Sequence, residues 1–164
     1  MSRPVFWPGL LLGSLAGIIL IGTLPAQTAA PAKKLPALKT RATPKAVVDE
    51  HMDALNHCDW QRLMAQYPDN VEFFFPGGQV VKGRQQAADT FAGFVKPPAQ
   101  GGVCGFKFTP EHVLTVGDTV SVQWVVTSDT LAEPYRGADA FVTKDGLIAA
   151  QVSTFDGTQL KKKK

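Results

Sequence analysis

The chain has 164 residues, of which 45% are apolar and 19% are charged, a composition typical of one ordinary globular domain. Its formal charge of +3 is unevenly distributed, because residues 46–160 carry 7 basic and all 14 acidic side chains, a net charge of −7. Binding of nucleic acid through phosphates requires clustered lysine and arginine, so the composition of this region excludes nucleic acid as a partner.

The first 32 residues have the pattern of an export signal. Arg3 precedes an apolar segment at residues 10–24, and small residues at 28–32 provide a site for cleavage. The alternative is a retained membrane anchor, because residues 5–24 are nearly long enough to span a bilayer. We favour cleavage and therefore expect an exported protein, periplasmic or secreted, that meets a membrane only if this segment is retained.

Basic segments flank the predicted domain. Residues 33–43 are rich in lysine, proline and alanine and are expected to form a flexible linker, and residues 158–164 form a basic tail. Both are interpreted as solvated, with attraction to an anionic surface as the alternative. The folded domain is therefore placed at residues 44–157.

Three helices are predicted in the first half of this domain. The apolar spacing indicates a helix over residues 44–58, a short helix over residues 60–67 and a third over residues 84–96. Thr43 and Asp59 can cap the first two, because their side-chain oxygens accept from free amide groups of the first turn.

Alternation with a period of two predicts strands in the rest of the domain. Both faces of the stretch 71–75 carry phenylalanine, so this strand is expected to be covered on both sides or to line a cavity. Pro110 either separates two strands or bends one long strand. The order of elements predicts an α+β layout with helices packed on one face of a curved sheet. The predicted strands are residues 71–75, 79–82, 103–109, 111–116, 119–127, 135–143 and 147–155.

The two cysteines are Cys58 and Cys104, and both fall beside the ends of predicted elements. In an exported protein they are expected to form a disulfide, which would stabilise the fold by about 4 kcal/mol in the chain-entropy model. Two buried free thiols are the alternative.

Three stretches carry a resemblance to a known family: ALNHCDWQRLMAQYPDNVEFFFPGG, VVKGRQQAADTF and GADAFVTKDGLIAAQVSTFDG. In this order and spacing they resemble the nuclear transport factor 2-like superfamily, and within it the SnoaL-like polyketide cyclases and ketosteroid isomerases. The resemblance covers residues 44–157. It implies a cystatin-like α+β cone, in which three helices pack on a strongly curved, mostly antiparallel sheet. It also implies an enclosed apolar pocket and a homodimer formed through the sheet.

One position departs from the ketosteroid isomerase pattern. In those relatives an acidic residue directly before a proline serves as the base that shuttles the proton. Here Phe75 precedes Pro76, and phenylalanine cannot take a proton. The isomerase mechanism of that branch is therefore not expected.

Asp139 is the remaining candidate for acid or base catalysis. It shares a strand face with Tyr135 and Phe141, and an aspartate among aromatic side chains can have a raised pKa. The resemblance places it close to an oxyanion-stabilising acid of ketosteroid isomerase-like members. Tyr135, on the same strand face, is the candidate hydrogen-bond donor beside it. The alternative is a solvated or dimer-face aspartate paired with Arg136 or Lys144.

Predicted ligand contacts lie on the face of the sheet that would line the cone. The alternative for each of these side chains is simple core packing, although in a hollow cone the core face is also the pocket wall. The predicted contacts are Phe73, Phe75, Trp124, Phe141 and Gln151.

No cofactor or metal is expected. His51 and His57 are six residues apart, so a helix would not place them on one face, and His112 has no patterned partner. No glycine-rich phosphate loop or Cys-x-x-Cys pair occurs in the sequence.

Two functions are consistent with these patterns. The first is an exported binding module that holds a small apolar molecule or a partner segment in the pocket without catalysis. The second is a cofactor-independent isomerase, cyclase or lyase that uses Asp139 as acid or base.

Overall fold

A computed structural model describes residues 34–163. The predicted export signal therefore lies outside the described residues and stays a prediction. Within the described range no helix combines the length and the hydrophobicity needed to cross a bilayer.

The helices are α1 (Pro44–Asn56), α2 (Trp60–Met64) and α3 (Arg84–Phe94), and the strands are β1 (Glu72–Phe74), β2 (Val80–Lys82), β3 (Lys107–Val116), β4 (Thr119–Thr127), β5 (Tyr135–Lys144) and β6 (Leu147–Ser153).

The first two helices begin at the caps that the sequence predicts. Thr43 accepts a hydrogen bond from the amide of Ala46, and the carboxylate of Asp59 accepts one from the amide of Arg62. Helix α1 ends at Asn56, two residues before the predicted end. The reason is local, because Cys58 has a φ of 52°, which turns the chain out of the helix.

The six strands form one mixed sheet in the order β2-β1-β6-β5-β4-β3. Only β1 and β6 pair in parallel, so the sheet is mostly antiparallel, and the helices pack on one face. This arrangement confirms the predicted cone-like α+β fold. Residues on both sides of Pro110 belong to the single strand β3, in which a bulge between Pro110 and His112 absorbs the proline.

Strand β1 is covered on one face only. Phe73 is buried under the helices, whereas Phe74 lies on the outer face of the sheet and is 41% exposed. The expected double coverage of this strand is therefore wrong for Phe74. Phe75 follows the strand and turns back toward the core, where its ring stacks on that of Phe73 with centroids 6.0 Å apart.

The segments that flank the predicted domain make contacts with it. Arg84 donates to the carbonyl oxygens of Pro36 and Met64, and the amide of Lys39 donates to Ala65. Residues 34–43, for which a flexible linker is expected, thus lie along the helices. At the other end, residues 161–163 form backbone hydrogen bonds with the loop at residues 130–132.

The predicted disulfide between Cys58 and Cys104 is present in the structure. It joins the turn after α1 to the loop that leads from α3 to β3, across a sequence separation of 46 residues. The amide of Cys104 also donates to the carbonyl oxygen of Lys96, which closes this loop on itself.

Candidate functional site

A small chamber of about 40 Å³ lies between α1, α3 and the inner face of the sheet. Aromatic rings fill most of the space around it, so the interior of the cone is largely packed. The polar side chains that line the chamber are His51, Trp124, Asp139, Gln151 and Ser153, and the rings are Phe75, Phe91, Phe94, Phe108 and Phe155.

The register of the sheet brings the polar groups together. Asp139 on β5 lies directly opposite Ser153 on β6, and Trp124 on β4 lies opposite Gly137. A Cβ atom at Gly137 would overlap the indole ring of Trp124, so this position requires glycine. The indole ring therefore approaches the β5 backbone closely at Gly137, near Asp139.

The carboxylate of Asp139 has few partners. Oδ2 accepts from Gln151 Nε2 at a long 3.4 Å, and Oδ1 is buried without a hydrogen bond. Part of Asp139 also borders a depression on the outer face of the sheet, but the burial of the carboxylate itself controls its ionisation. Burial raises the pKa of Asp139 to about 6, and nearby polar groups, foremost the Ser153 hydroxyl and the Trp124 indole, oppose this shift only in part.

Three buried polar atoms around the chamber have no hydrogen-bond partner. They are Nε1 of Trp124, Oε1 of Gln151 and Oδ1 of Asp139. Nε1 of Trp124 is close enough to Asp139 to lower its pKa, but the pair does not meet the distance and angle of a hydrogen bond. A buried polar atom without a partner costs about 1–3 kcal/mol, so three of them at one cavity indicate a place for a bound polar group.

His51 was missed as a site residue by the sequence analysis. It lies on α1, is fully buried, and its Nδ1 atom lies 3.0 Å from the hydroxyl of Tyr67. Burial lowers the pKa of His51 to about 4 and raises that of Tyr67 well above its usual value, the latter aided by the charge of Asp139. Both side chains are therefore neutral near pH 7.

Because both side chains are neutral, the hydrogen bond between them shows which ring nitrogen of His51 carries the proton. The Tyr67 hydroxyl has no other hydrogen-bond partner in the described structure, so its proton is donated to Nδ1 of His51. A neutral imidazole then carries its own proton on Nε2. His51 lines the chamber in this form as a potential hydrogen-bond donor.

The signal for His51 was present in the spacing of α1. It follows Val47 by four residues and precedes Leu55 by four, so it falls on the apolar stripe that faces the core. The spacing between His51 and His57 shows only whether the two could bind one metal ion. It does not show whether His51 is buried.

The predicted site residues divide into two groups. Phe75, Trp124, Asp139 and Gln151 line the chamber together. The other predicted residues lie outside its lining. Phe73 and Phe141 pack behind it, with ring centroids 4.9 Å from Tyr67 and 5.2 Å from His51, respectively, and the Tyr135 hydroxyl bonds with the backbone of Thr154 and Asp156.

An open groove of about 700 Å³ lies outside the chamber. The turn Pro76–Gly78, the loop between α3 and β3, and the C-terminal segment form its walls. Four residues line both spaces, namely Phe75, Phe94, Val103 and Phe155. The groove therefore adjoins the chamber, and these four side chains lie at the boundary between them.

The arrangement can support proton transfer. A carboxyl group with a pKa of about 6 exchanges its proton readily near neutral pH, and the surrounding rings limit access of water. Among residues 34–163 no three side chains of the His, Cys, Asp or Glu type lie close enough together to hold a metal ion.

Residues 48–151 match the family model of the SnoaL-like domain. No curated protein sequence matches the chain.

Several solved structures have a similar fold. An NTF2-like protein of unknown function from Cytophaga hutchinsonii has a TM-score of 0.57 and 16% identity, over 74% of this chain and 96% of that one. An LEH-like epoxide hydrolase from Mycobacterium tuberculosis has a TM-score of 0.57 and 18% identity, over 71% and 85%. TerC, co-crystallised with polyporic acid, has a TM-score of 0.58 and 15% identity, over 71% and 94%. At these identities the similarity establishes the fold alone.

Proposed function

Because this chain belongs to the SnoaL-like domain family of the NTF2-like superfamily, we propose that it binds a small apolar molecule carrying a polar group. The observation that supports this proposal is the set of three buried polar atoms without partners in a chamber lined by aromatic rings. One neighbour in fold, TerC, was crystallised with polyporic acid, which supports the same kind of ligand here.

The size of the two spaces suggests how a ligand would be divided between them. A cavity needs about 10–15 Å³ for each water molecule, so the 40 Å³ chamber holds only a few atoms. The polar group would enter the chamber, and the apolar body would lie in the groove against Phe94 and Phe155. The groove walls combine aromatic rings with charged side chains such as Lys96 and Asp156, so the apolar body is assigned to the part of the groove next to the boundary rings.

Export is the second part of this proposal. The Cys58–Cys104 disulfide is compatible with an oxidising compartment, and residues 1–32 carry the predicted signal. A periplasmic or secreted protein with this pocket would capture its ligand outside the cytoplasm.

Titration with N-phenyl-1-naphthylamine, a neutral dye that becomes fluorescent in apolar sites, tests the binding function. We expect saturable binding of one dye per chain, and a loss of at least tenfold in affinity for Phe94→Glu, which places a charge at the boundary of chamber and groove. Leu38→Glu is the matched control, because Leu38 is exposed and lines neither the chamber nor the groove. Equal effects of the two substitutions, or binding that does not saturate, would contradict the proposal.

A cofactor-independent isomerase, cyclase or lyase is the second candidate, because burial raises the pKa of Asp139 to about 6. Asp139 would be the acid or base, whereas the Tyr135 hydroxyl is already engaged by the backbone. Apolar ketones and epoxides can be screened for turnover by mass spectrometry. Asp139→Asn should abolish any turnover while dye binding persists, and an active variant would exclude this candidate.

A further inference from the structure

The polar groups around the chamber differ in what they can offer a ligand. Nε1 of Trp124 can only donate a hydrogen bond, whereas Oε1 of Gln151 and the ionised carboxylate of Asp139 can only accept one. The side chains of Trp124 and Gln151 are 1% and 4% exposed, so bulk water does not satisfy them. A group that fits must therefore accept and donate at the same time.

Few chemical groups meet this requirement. A hydroxyl oxygen can accept from Trp124 and give its own proton to Asp139 or Gln151. A ketone oxygen would leave both acceptors without a proton, and an ammonium group would leave the indole N–H without an acceptor. A carboxylate would place a second negative charge beside Asp139, and like charges in a buried site repel.

The other titratable groups near the chamber do not change the need for a ligand group that both accepts and donates a hydrogen bond. His51 and Tyr67 are both neutral and share one hydrogen bond through Nδ1 of His51, and Nε2 of His51 adds a further donor to the chamber but no charge. No lysine or arginine lines the chamber within the described residues. Asp139 therefore supplies the only charge that faces a ligand there.

We propose that the chamber recognises the hydroxyl group of a flat apolar alcohol or phenol whose hydrocarbon body lies in the groove. This inference rests on the proposed binding function and specifies its ligand class. The rings at the boundary suit a flat body, since Phe94 lies with its centroid 6.0 Å from Phe155 and 6.3 Å from Phe75. All three rings line the groove, where they offer aromatic surface to a ring of the ligand.

Equilibrium dialysis of the purified protein at pH 7.5 tests the inference with three probes that share one ring system. They are 2-naphthol, naphthalene and 2-naphthoate. We expect 2-naphthol to bind at least tenfold more tightly than naphthalene, because only the naphthol satisfies the buried polar atoms. We expect 2-naphthoate to bind most weakly, because its carboxylate faces Asp139.

Two variants identify the groups responsible. Trp124→Phe should reduce the preference for 2-naphthol over naphthalene to within about threefold, whereas Trp60→Phe should retain it. Trp60 is a matched control, because its indole N–H donates to Ala88 outside the chamber. Asp139→Asn removes the charge without changing the shape and should bring the affinity for 2-naphthoate close to that for 2-naphthol. This variant keeps the test decisive if Trp124→Phe fails to fold.

The possible outcomes separate the two proposals. Equal affinities for 2-naphthol and naphthalene, or tighter binding of 2-naphthoate by the unmodified protein, would overturn the inference and leave the binding function intact. Failure of all three probes to bind would contradict the binding function itself.

Discussion

Asp139 and His51 are two ionisable side chains that the fold buries at one chamber, and burial acts on them in opposite directions. It raises the pKa of Asp139 to about 6 and lowers that of His51 to about 4, because in both cases the neutral form is favoured. The folded state therefore loses stability when Asp139 ionises at higher pH and when His51 is protonated at lower pH.

The raised pKa of Asp139 predicts the direction in which the stability of the fold changes with pH. Its pKa in the unfolded chain is about 3.8, so the folded state is penalised as the pH rises from there through 6. Between pH 4.5 and 7.5 the free energy of unfolding should fall by about 2 kcal/mol relative to that of Asp139→Asn, which cannot ionise. Urea unfolding at the two pH values measures this difference, and His51 contributes equally to both proteins.

Asp129→Asn is the control for this comparison, because Asp129 is exposed on a loop. We expect this variant to follow the pH dependence of the unmodified protein. Parallel profiles for Asp139→Asn and the unmodified protein would show that the Asp139 carboxylate is solvated and would remove the physical basis for an acid or base role.

At the scale of elements, the disulfide connects the helical layer to a wall of the groove. Cys58 follows α1, and Cys104 lies next to Val103, which lines both the chamber and the groove. Between α3 and β3 the chain has short turns but no strand, and its backbone hydrogen bonds run within the segment or to the end of α3. The covalent link therefore ties this segment to the turn after α1, to which none of these backbone hydrogen bonds connects it.

Replacing both cysteines should lower the free energy of unfolding and also weaken ligand binding at the site. For a closed loop of this length, the chain-entropy model gives a loss of about 4 kcal/mol for Cys58→Ser combined with Cys104→Ser. Urea unfolding measures this loss, and the unmodified protein treated with a reductant should show the same value. The variant should also bind N-phenyl-1-naphthylamine less tightly. Unchanged dye affinity would mean that the wall does not depend on the disulfide.

At the scale of the whole molecule, the outer face of the sheet carries an apolar row across its strands. Consecutive strand pairs align Val80 with Phe74, Phe74 with Val152, Val152 with Ala140, and Leu114 lies opposite Ser121 at the far end. Val80, Phe74, Val152 and Leu114 are all exposed, at 41–64% of their surface. A largely apolar row of this kind, interrupted by Ser121 between Ala140 and Leu114, is typical of a protein interface.

We propose that two copies of the chain associate through this face, as the family resemblance implies. Sedimentation velocity of the purified protein should show a dimer. Val152→Glu, in the middle of the row, should give a monomer because it buries a charge without a partner. Leu38→Glu should remain dimeric, since Leu38 is exposed to a similar extent but lies outside the sheet. A monomeric unmodified protein would refute the proposal.

The sequence by itself determined the elements whose signals are local. The caps at Thr43 and Asp59 act on the next few residues, and the turn at Asp145 and Gly146 requires two positive φ angles in succession. Strand parity also grouped Asp139 with Tyr135 and Phe141 on one face, because side chains alternate along a strand whatever the strand pairs with, but it left open whether that face is inner or solvated. These features depend on short-range sterics and hydrogen bonds, so they can be read from neighbouring residues.

Only the tertiary structure decided which inward-facing side chains meet. His51 and Asp139 are 88 positions apart, and the packing of α1 on the sheet brings them to one chamber. The bulge that joins the two halves of β3 depends on its pairing with β4. The volume of the chamber depends on how the aromatic rings interdigitate, and a shift of one rotamer changes it. Such properties depend on many contacts between residues that are far apart in the sequence, and local patterns do not encode these contacts.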